Sequence, residues 1–499
     1  MLKRLFFFLL AVVFVPPVFA QYTYSDDCKK AYGLILELRF AAAQKQIDYA
    51  KKKDPQNLIP ILLENYIDFL SITLDENQEL FQKISEKKKM RLQQWETGPK
   101  NSPYYRLGIA QLNMQWAFSR VLFGEYLTAA YEINLAYHLL EENKNEFPEF
   151  LPNALGLGVL HSMIGVVPEQ YRWAINILGL YGTIDQGLGE LEALLNSKNA
   201  EFQHFKPEAL FLYTFLKLNL KTDERRIDQL LAVYQKPDFE TMSMRSPLIH
   251  FSKAVVMMRK DNDKAIVFLE SKPKANDAMR FYYPDFMLAQ AKLYKFDSNS
   301  ETLFDTYVRK FPGDNFKRTA KQKMAWSAFV RGDTLAYQKN MNAILNLKST
   351  KIDADDAALK EAKEAQKGFL PNLFLLKSRI YFDGGYLAEA LNVLQKINTK
   401  SFSDQEKVEL AYRRGRIYHR MDSLNQALAF YQHALALGAN QNSYYAGNSC
   451  LMIAEIYERK NEKRTSKIYY EKCLELNFDE YSRSIRAKAQ AGLQRVGTD

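Results

Sequence analysis

The chain has 499 residues, of which 47% are hydrophobic, and it contains only 21 glycines and 16 prolines. This length exceeds one ordinary core and the hydrophobic content excludes a disordered chain, so we expect several domains or one extended repeat structure, mostly helical because turn-forming residues are few. The formal net charge of +10 comes from interspersed Lys and Glu rather than from a basic stripe, which argues against a nucleic-acid partner.

Residues 1–20 have the pattern of a secretory signal peptide. Lys3 and Arg4 precede an apolar run over residues 5–15, and a small-residue cleavage site ends at Ala20. Two prolines follow the run, which is shorter than the roughly 20 residues of a membrane-spanning helix. No cysteine follows the cleavage site directly, which argues against lipid attachment. We expect an exported protein, which in a bacterium would be periplasmic or associated with the outer membrane.

An N-terminal helical domain is predicted over residues 21–199, and its first element is a pair of helices. Small and apolar residues recur at offsets 0, 3, 12, 16 and 19, here Ala31, Leu34, Ala43, Ile47 and Ala50. Small residues 12 positions apart let two helices approach closely, and the residue at offset 3 fills the next gap on the same face. A second pair has small or apolar residues at offsets 0, 12, 16 and 19, here Ala117, Ala129, Ile133 and Ala136, with Arg120 in place of an aromatic residue.

Residues 155–191 place seven glycines in an apolar stretch. A phosphate-binding loop would follow a strand or read GxxxxGK, and the sequence offers neither context. The apolar run over residues 154–167 is too short for a membrane span. We therefore interpret residues 150–190 as a buried hairpin, because glycine costs about 1 kcal/mol in a helix and such density requires close packing. The alternative is that this stretch contacts a membrane surface or a partner. The residues that would make such contact are Tyr171, Trp173 and Tyr181.

A narrower pattern runs through the same stretch. Its positions in order are Ser162, Pro168, Leu178-Gly179, Gly182, Asp185 and Gly187-Leu188. This order resembles the signature segment of the tetratricopeptide repeat domain 39 and inclusion-body clearance proteins. Here a single proline stands at 168, and Thr183-Ile184 separate Gly182 from the aspartate. The resemblance implies a lipid-related or aggregate-handling role in the cytosol, a compartment that the predicted signal peptide does not share.

The middle of the chain is predicted to hold degenerate helical repeats over residues 200–352. Apolar stretches of helical length alternate there with Pro or Gly-Asp joints, as at Pro312-Gly313-Asp314. Residues 353–370 have high helix propensity, with acidic residues in the first turn and lysines later, which complements the helix dipole. We interpret this segment as a linker helix.

Three further units are predicted over residues 371–479, all with the same offsets. They read Ser378, Tyr381, Ala390, Leu394 and Ile397; Gly415, Tyr418, Ala427, Tyr431 and Ala434; and Ala454, Tyr457, Ser466, Tyr470 and Cys473. This pattern resembles the tetratricopeptide repeat family, whose period is about 34 residues. The resemblance implies an all-α fold, an α-solenoid of antiparallel helix pairs wound into a superhelix. Residues 480–499 are predicted to be a capping helix and tail.

Motifs of catalysis and metal binding are missing from the sequence. The six histidines form no HExxH, and the three cysteines form no Cys-x-x-Cys. No GxSxG is found. We predict no catalytic residue, no metal, no cofactor and no enzyme activity. Cys450 and Cys473 could form a disulfide across a helical hairpin or fill a helix interface as small apolar residues.

The first helix of each pair in such a stack lines the concave groove, where ligands bind. The helical spacing predicts that five arginines face it, namely Arg379, Arg413, Arg416, Arg420 and Arg459. Guanidinium groups in a positive strip would bind a carboxylate, an acidic peptide or a phosphate. The alternative is a solvated face in which the arginines pair with Glu409, Glu455 and Glu458.

These observations favour a secreted, non-catalytic scaffold that binds a protein or an acidic peptide through its groove. A first alternative is a membrane- or lipid-associated helical-repeat protein that uses residues 150–190. A second alternative is a glycan-binding helical-repeat component of a nutrient uptake system, against which the missing lipidation cysteine counts.

Overall fold

The computed structural model describes residues 20–167, 169–221, 223, 225–273 and 275–497, apart from the side chains of residues 169–171 and 174. The predicted signal peptide lies outside the described residues except for Ala20, as does Pro168. Within the described part of the chain there are 27 α-helices and no β-strand. Along most of the chain neighbouring helices pack in adjacent pairs, which confirms the predicted all-α solenoid of helix pairs.

The first ten helices form the N-terminal section. They are α1 (Asp26–Leu36), α2 (Phe40–Lys53), α3 (Ile59–Asp75), α4 (Gln78–Lys83), α5 (Lys87–Trp95), α6 (Pro103–Leu122), α7 (Tyr126–Glu146), α8 (Ala154–Gly165), α9 (Glu169–Ile177) and α10 (Ile184–Asn196). The two predicted pairs correspond to α1 with α2 and α6 with α7. In the second pair Ala117, Ala129 and Ala136 are buried, and Arg120 donates from Nε to the buried Glu132 carboxylate at 3.0 Å.

The glycine-rich stretch brings α8 and α10 into direct backbone contact. A Cβ added to Gly158 would lie 2.9 Å from the carbonyl oxygen of Gly187, and one added to Gly187 would lie 2.3 Å from that of Gly158. Thr183 caps α10 by accepting a hydrogen bond from the backbone N–H of Gln186. The intervening α9 lies instead on the surface, where Trp173 is exposed.

The middle section contains the next ten helices. They are α11 (Lys206–Leu220), α12 (Arg226–Tyr234), α13 (Pro237–Arg245), α14 (Pro247–Lys260), α15 (Asn262–Glu270), α16 (Tyr283–Leu293), α17 (Asn299–Lys310), α18 (Lys317–Val330), α19 (Thr334–Leu345) and α20 (Asp353–Gln366). Many of them begin with a proline in the first turn or with an Asp or Ser cap, both of which suit unpaired N-terminal N–H groups. The helix interpreted as a linker, α20, packs on α18 and α19 as a regular member of the stack.

The last seven helices form the C-terminal section. They are α21 (Leu373–Asp383), α22 (Leu387–Gln395), α23 (Asp404–Arg420), α24 (Leu424–Gly438), α25 (Tyr444–Arg459), α26 (Lys463–Glu475) and α27 (Ser482–Val496). Residues at offset 12 touch as expected, because the Ser378 hydroxyl donates to the Ala390 carbonyl at 3.0 Å and the Ser466 hydroxyl to the Ala454 carbonyl at 2.8 Å.

The stack is curled so tightly that distant sections touch. The backbone N–H of Met279 donates to the Leu38 carbonyl at 2.8 Å, which joins the N-terminal and middle sections. Near the other end, Asn262 donates from Nδ2 to the Tyr386 hydroxyl at 3.1 Å, and α27 contacts both α11 and α20. The C-terminal section therefore contacts the middle section at more than one place. Among the described residues, none of the helices combines the length and apolarity needed to cross a bilayer.

Candidate functional site

Three of the five predicted groove arginines line one cavity of about 260 Å³. We call it the arginine cavity; its lining residues are Ser378, Arg379, Phe382, Asp383, Tyr412, Arg413, Arg416, Tyr444, Asn448, Tyr481, Ser484, Ile485 and Lys488. They come from α21, α23 and α25, each the first helix of a predicted unit, and from α27 with the residue before it. The cavity is therefore part of the concave face that the repeat spacing predicts.

The packing of Gly415 explains why its neighbours point into the cavity. A Cβ at Gly415 would lie 2.7 Å from the ring of Tyr431, so this face of α23 is held tightly against α24. Arg413 and Arg416 are three residues apart and so share another face of the same helix. The small residue that positions the helix pair thus also turns the arginines inward.

Aromatic side chains hold two of the guanidinium groups in place. The Arg379 Cζ lies 4.4 Å from the centroid of the Trp326 ring, and its Nη2 donates to the Tyr481 hydroxyl at 3.1 Å. The Arg416 Cζ lies 4.8 Å from the centroid of the Phe382 ring. Cation–π contact is attractive and leaves the in-plane N–H donors available to a ligand.

The pairing of the cavity arginines with carboxylates is incomplete. Arg413, which is 7% exposed, donates from Nε to the Glu409 carboxylate at 2.7 Å, as the solvated-face alternative expects. Glu458 instead pairs with Arg495. Within the described part of the chain, neither Arg379 nor Arg416 forms an ion pair. The side chains that line the cavity include four cations and one carboxylate, that of Asp383.

A lysine that the sequence interpretation missed adds to this charge. Lys488 lies on α27, and its pKa is lowered by desolvation; Glu455 opposes the shift, and Arg259 and Arg416 reinforce it. The arginine cavity therefore has an excess of positive charge and suits an anionic group. The lysine belongs to the predicted capping helix, and its position at the cavity depends on how the superhelix curls.

The other two predicted arginines lie outside the cavity lining. Arg420 donates from Nη1 to the Phe382 carbonyl at 3.3 Å and from Nη2 to the Arg259 carbonyl at 3.4 Å. Arg459 is exposed and forms an ion pair of 2.7 Å with Asp422. The structure thus brings three of the five arginines together and leaves two beyond the cavity.

A larger cavity, of about 640 Å³, differs in its charge balance. It lies between α4, α5, α6 and α7, and its buried Glu132 carboxylate is paired with both Lys88 and Arg120. Arg120 also pairs with Glu125. Because these cations are neutralised within the protein, this cavity lacks the anion preference of the arginine cavity.

The residues predicted to contact a membrane or partner lie on or next to α9. Trp173 is 65% exposed and Tyr181 is 63% exposed, and between them Ile177 is 76% exposed. The Tyr181 carbonyl accepts a hydrogen bond of 2.9 Å from the Tyr137 hydroxyl, which ties the following loop to α7. The side chain of Tyr171 lies outside the described residues.

The three cysteines are buried free thiols in the structure. Burial raises the pKa of both Cys450 and Cys473 to about 12, and the Cys473 thiol donates to the Gly447 carbonyl at 3.2 Å. This arrangement corresponds to the small-residue interpretation rather than to the disulfide. Among the described residues, no cluster of His, Cys, Asp and Glu has the arrangement of a metal site.

Comparisons with known proteins identify the C-terminal repeats. The family model described as tetratricopeptide repeat matches residues 408–440 and 447–480, which correspond to the second and third predicted units. No curated protein matches the chain. Among solved structures the chain is similar to the crystal structure of the P58(IPK) TPR domain at 2.5 Å, with 14% identity, a TM-score of 0.22 and coverage of 86% of this chain and 100% of that chain. The narrower resemblance of residues 155–191 is not confirmed by these comparisons.

Proposed function

Because the chain carries repeats of the tetratricopeptide superfamily over residues 408–480, we propose that it is an exported, non-catalytic scaffold that binds an acidic segment of a partner protein in the arginine cavity. The proposal depends on the surroundings of two cavity arginines, Arg379 and Arg416. Both guanidinium groups contact aromatic rings, and among the described residues neither forms a direct ion pair with a carboxylate, while Asp383 is the one carboxylate in the cavity lining.

The cavity dimensions support recognition of a few side chains rather than of a folded surface. A volume of about 260 Å³ accommodates one or two acidic side chains, and the concave face continues along α21, α23 and α25. Tyr412, Tyr444 and Tyr481 add hydroxyl groups and ring faces to the lining. Arginine–carboxylate hydrogen bonds in such a partly desolvated site are stronger than those between neutral groups.

Binding of a labelled hexaglutamate peptide to the full chain, followed by fluorescence anisotropy, tests this proposal. The variant Arg379→Gln/Arg416→Gln is expected to lose at least about tenfold in affinity, since two charge-assisted contacts are removed. Neutral variants are preferable to charge reversal at Arg413, which would also break the pair with Glu409. The matched control is Arg309→Gln, an exposed arginine paired with Asp305. Equal affinity of wild type and double variant would refute the site.

Export is the second part of the proposal, and residues 1–20 support it through their charge and apolar pattern. A fusion of residues 1–30 to a reporter that folds only after export is expected to become active, with N-terminal sequencing showing cleavage after Ala20. Replacement of Leu9 and Leu10 by Lys within the apolar run should abolish reporter activity. An uncleaved, intracellular fusion would contradict export.

Contact with a membrane surface is a second candidate function, favoured by the exposure of Trp173, Ile177 and Tyr181. Aromatic and aliphatic side chains that project together from one surface insert into the boundary between headgroups and acyl chains. Flotation of the full chain with anionic liposomes is expected, and Trp173→Ala should reduce it. Absence of flotation, or flotation that is indifferent to this substitution, would end the candidate. The glycan-binding alternative remains a prediction from sequence.

A further inference from the structure

Cations from two sections of the chain meet beside the arginine cavity. Arg259 lies in the last turn of α14, Arg420 is the last residue of α23, and Lys488 lies on α27 at the cavity. All three are exposed to solvent, and the hydrogen bond from Arg420 to the Arg259 carbonyl shows that the two helix ends touch. We call Arg259, Arg420 and Lys488 the facing cluster.

The members of the facing cluster lie near carboxylates without being paired to them, since Glu455 acts on Lys488 and Asp383 acts on Arg420. Within the described part of the chain, none of the three takes part in an ion pair. The helix dipole favours a cation at the C-terminal positions of Arg259 and Arg420, but Lys488 lies in the middle of its helix and has no such support. The cluster is therefore accessible to a ligand, and together with the cavity arginines its cations outnumber the nearby carboxylates.

Desolvation and neighbouring cations lower the pKa of two members of the cluster. The pKa of Arg259 is lowered, first by desolvation and then by the nearby guanidinium groups of Arg226 and Arg420. The pKa of Lys488 is lowered most by desolvation; Glu455 opposes this shift, and Arg259 and Arg416 add to it. An anion placed between these groups would relieve the repulsion.

We infer that the facing cluster and the arginine cavity together bind a compact multivalent oxyanion of the pyrophosphate or tricarboxylate kind. Such a ligand has negative groups at more than one end, and the contact of Arg420 with the Arg259 carbonyl brings α14 and α23 to one place, where the ligand would bind their cations together with Lys488. Guanidinium groups take oxyanions through paired N–H donors, and the lysine adds a point charge. An anion with a single negative group can bind the cations of only one of these helices at a time. This site does not require a protein partner and so goes beyond the proposed function.

Isothermal titration calorimetry on the full chain tests the inference, with sodium pyrophosphate and trisodium citrate as probes. Acetate serves as the monovalent control, and sodium chloride keeps the ionic strength equal in all titrations. We expect saturable binding of pyrophosphate, citrate or both, and binding of acetate that is at least about tenfold weaker. Binding of only one of the two multivalent probes assigns the ligand to the phosphate or the carboxylate class.

The variant Arg259→Gln/Lys488→Gln is expected to bind pyrophosphate about tenfold more weakly or worse. An unchanged circular-dichroism spectrum and a cooperative melting transition of the variant would exclude misfolding as the cause. Lys407→Gln, which removes an exposed ammonium paired with Asp404, is the matched control and should behave as wild type. Heats that do not exceed those of sodium chloride, or equal affinity of wild type and double variant, would overturn the inference. If the wild-type chain binds pyrophosphate but not the hexaglutamate peptide, the proposed function is refuted and the oxyanion site is not.

Discussion

Lys323 on α18 contacts the same aromatic ring as the cavity residue Arg379. Its Nζ lies 3.4 Å from the centroid of the Trp326 ring, and Trp326 donates from Nε1 to Glu361 at 2.8 Å. The pKa of Lys323 is lowered to about 7 by burial and then by Arg379 and Arg413, against the opposing effects of Asp383 and Glu361. An ammonium group that is costly to keep charged in the folded state should make stability depend on pH.

Lys323→Met tests this dependence. In the unfolded chain the lysine stays protonated up to its ordinary pKa near 10.4, whereas in the folded chain it loses its proton near pH 7. The unfolded state therefore binds more protons between these values, and wild-type stability rises with pH across this window. We expect the stability advantage of the variant over wild type to shrink by about 2–3 kcal/mol from pH 6 to pH 9. Urea unfolding at both pH values measures it, and a constant difference would contradict the assignment.

The contact between α8 and α10 depends on single glycines, and one pair of substitutions isolates this effect. Gly187→Ala would place a Cβ 2.3 Å from the Gly158 carbonyl oxygen and from the Ser162 hydroxyl oxygen, so the helices must separate. We expect a loss of about 1–3 kcal/mol in the free energy of unfolding. Gly189→Ala, on the same helix with nothing within 4 Å of the added Cβ, should instead stabilise by up to about 1 kcal/mol. Similar effects of both variants in thermal or urea unfolding would contradict the close packing.

At the scale of the element, the helices that carry the site arginines are connected at their N-termini. Ser403 and Glu406 form a capping box on α23, in which each side chain bonds the backbone N–H of the other residue. Glu406 also accepts a hydrogen bond of 2.9 Å from Asn372, the residue that caps α21. The start of α23, which carries Arg413 and Arg416, is thus tied to the start of α21, which carries Arg379.

Ser403→Ala removes one half of the capping box and is expected to lower stability by about 1 kcal/mol. Because fraying of α23 disturbs the two arginines it carries, affinity for the hexaglutamate peptide should fall at the same time. The control is Ser423→Ala, at the N-cap of α24, where the side chain makes no capping hydrogen bond. Urea unfolding and anisotropy measure the two effects, and equal stability of both variants would show that the box is not formed in solution.

At the scale of the whole molecule, the curl of the superhelix depends on contacts between residues far apart in sequence. Glu76, at the end of α3, accepts hydrogen bonds from the backbone N–H groups of Asp314 at 2.9 Å and Asn315 at 3.1 Å, and from the Tyr283 hydroxyl at 2.8 Å. A Cβ at Gly313 would collide with the Glu76 carboxylate, so this glycine permits the approach. These bonds join the N-terminal section to the middle section.

Glu76→Ala leaves the two N–H groups and the hydroxyl without their acceptor and is expected to cost about 1–3 kcal/mol. Hydrogen exchange at residues 314–316 should accelerate, because the loop loses its attachment to α3. Glu79→Ala removes an exposed glutamate three residues away and is the matched control. Unchanged exchange in the Glu76 variant would show that the sections are held by other contacts.

The repeat architecture could be predicted because it depends on local spacing. A small residue at offsets 0 and 12 is a property of one helix pair, and Ser378 with Ala390 and Ala454 with Ser466 touch as predicted. The same reasoning placed Arg379, Arg413 and Arg416 on one concave face, since residues of first helices share that face whatever the curvature. The drifted repeats of the middle section lack the small-residue pattern, so the sequence alone does not show that α20 packs in the stack on α18 and α19.

The sequence by itself therefore determined the helix pairs, the all-α class and the basic face of the C-terminal units. Only the tertiary structure decided that α27 brings Lys488 and Tyr481 to the cavity, that α14 brings Arg259 beside it, and that Arg459 stays outside. The physical reason is that the small rotation between successive pairs accumulates along the stack. Contacts between residues more than 100 positions apart depend on the total rotation along the stack, and the sequence of a single repeat does not specify that total.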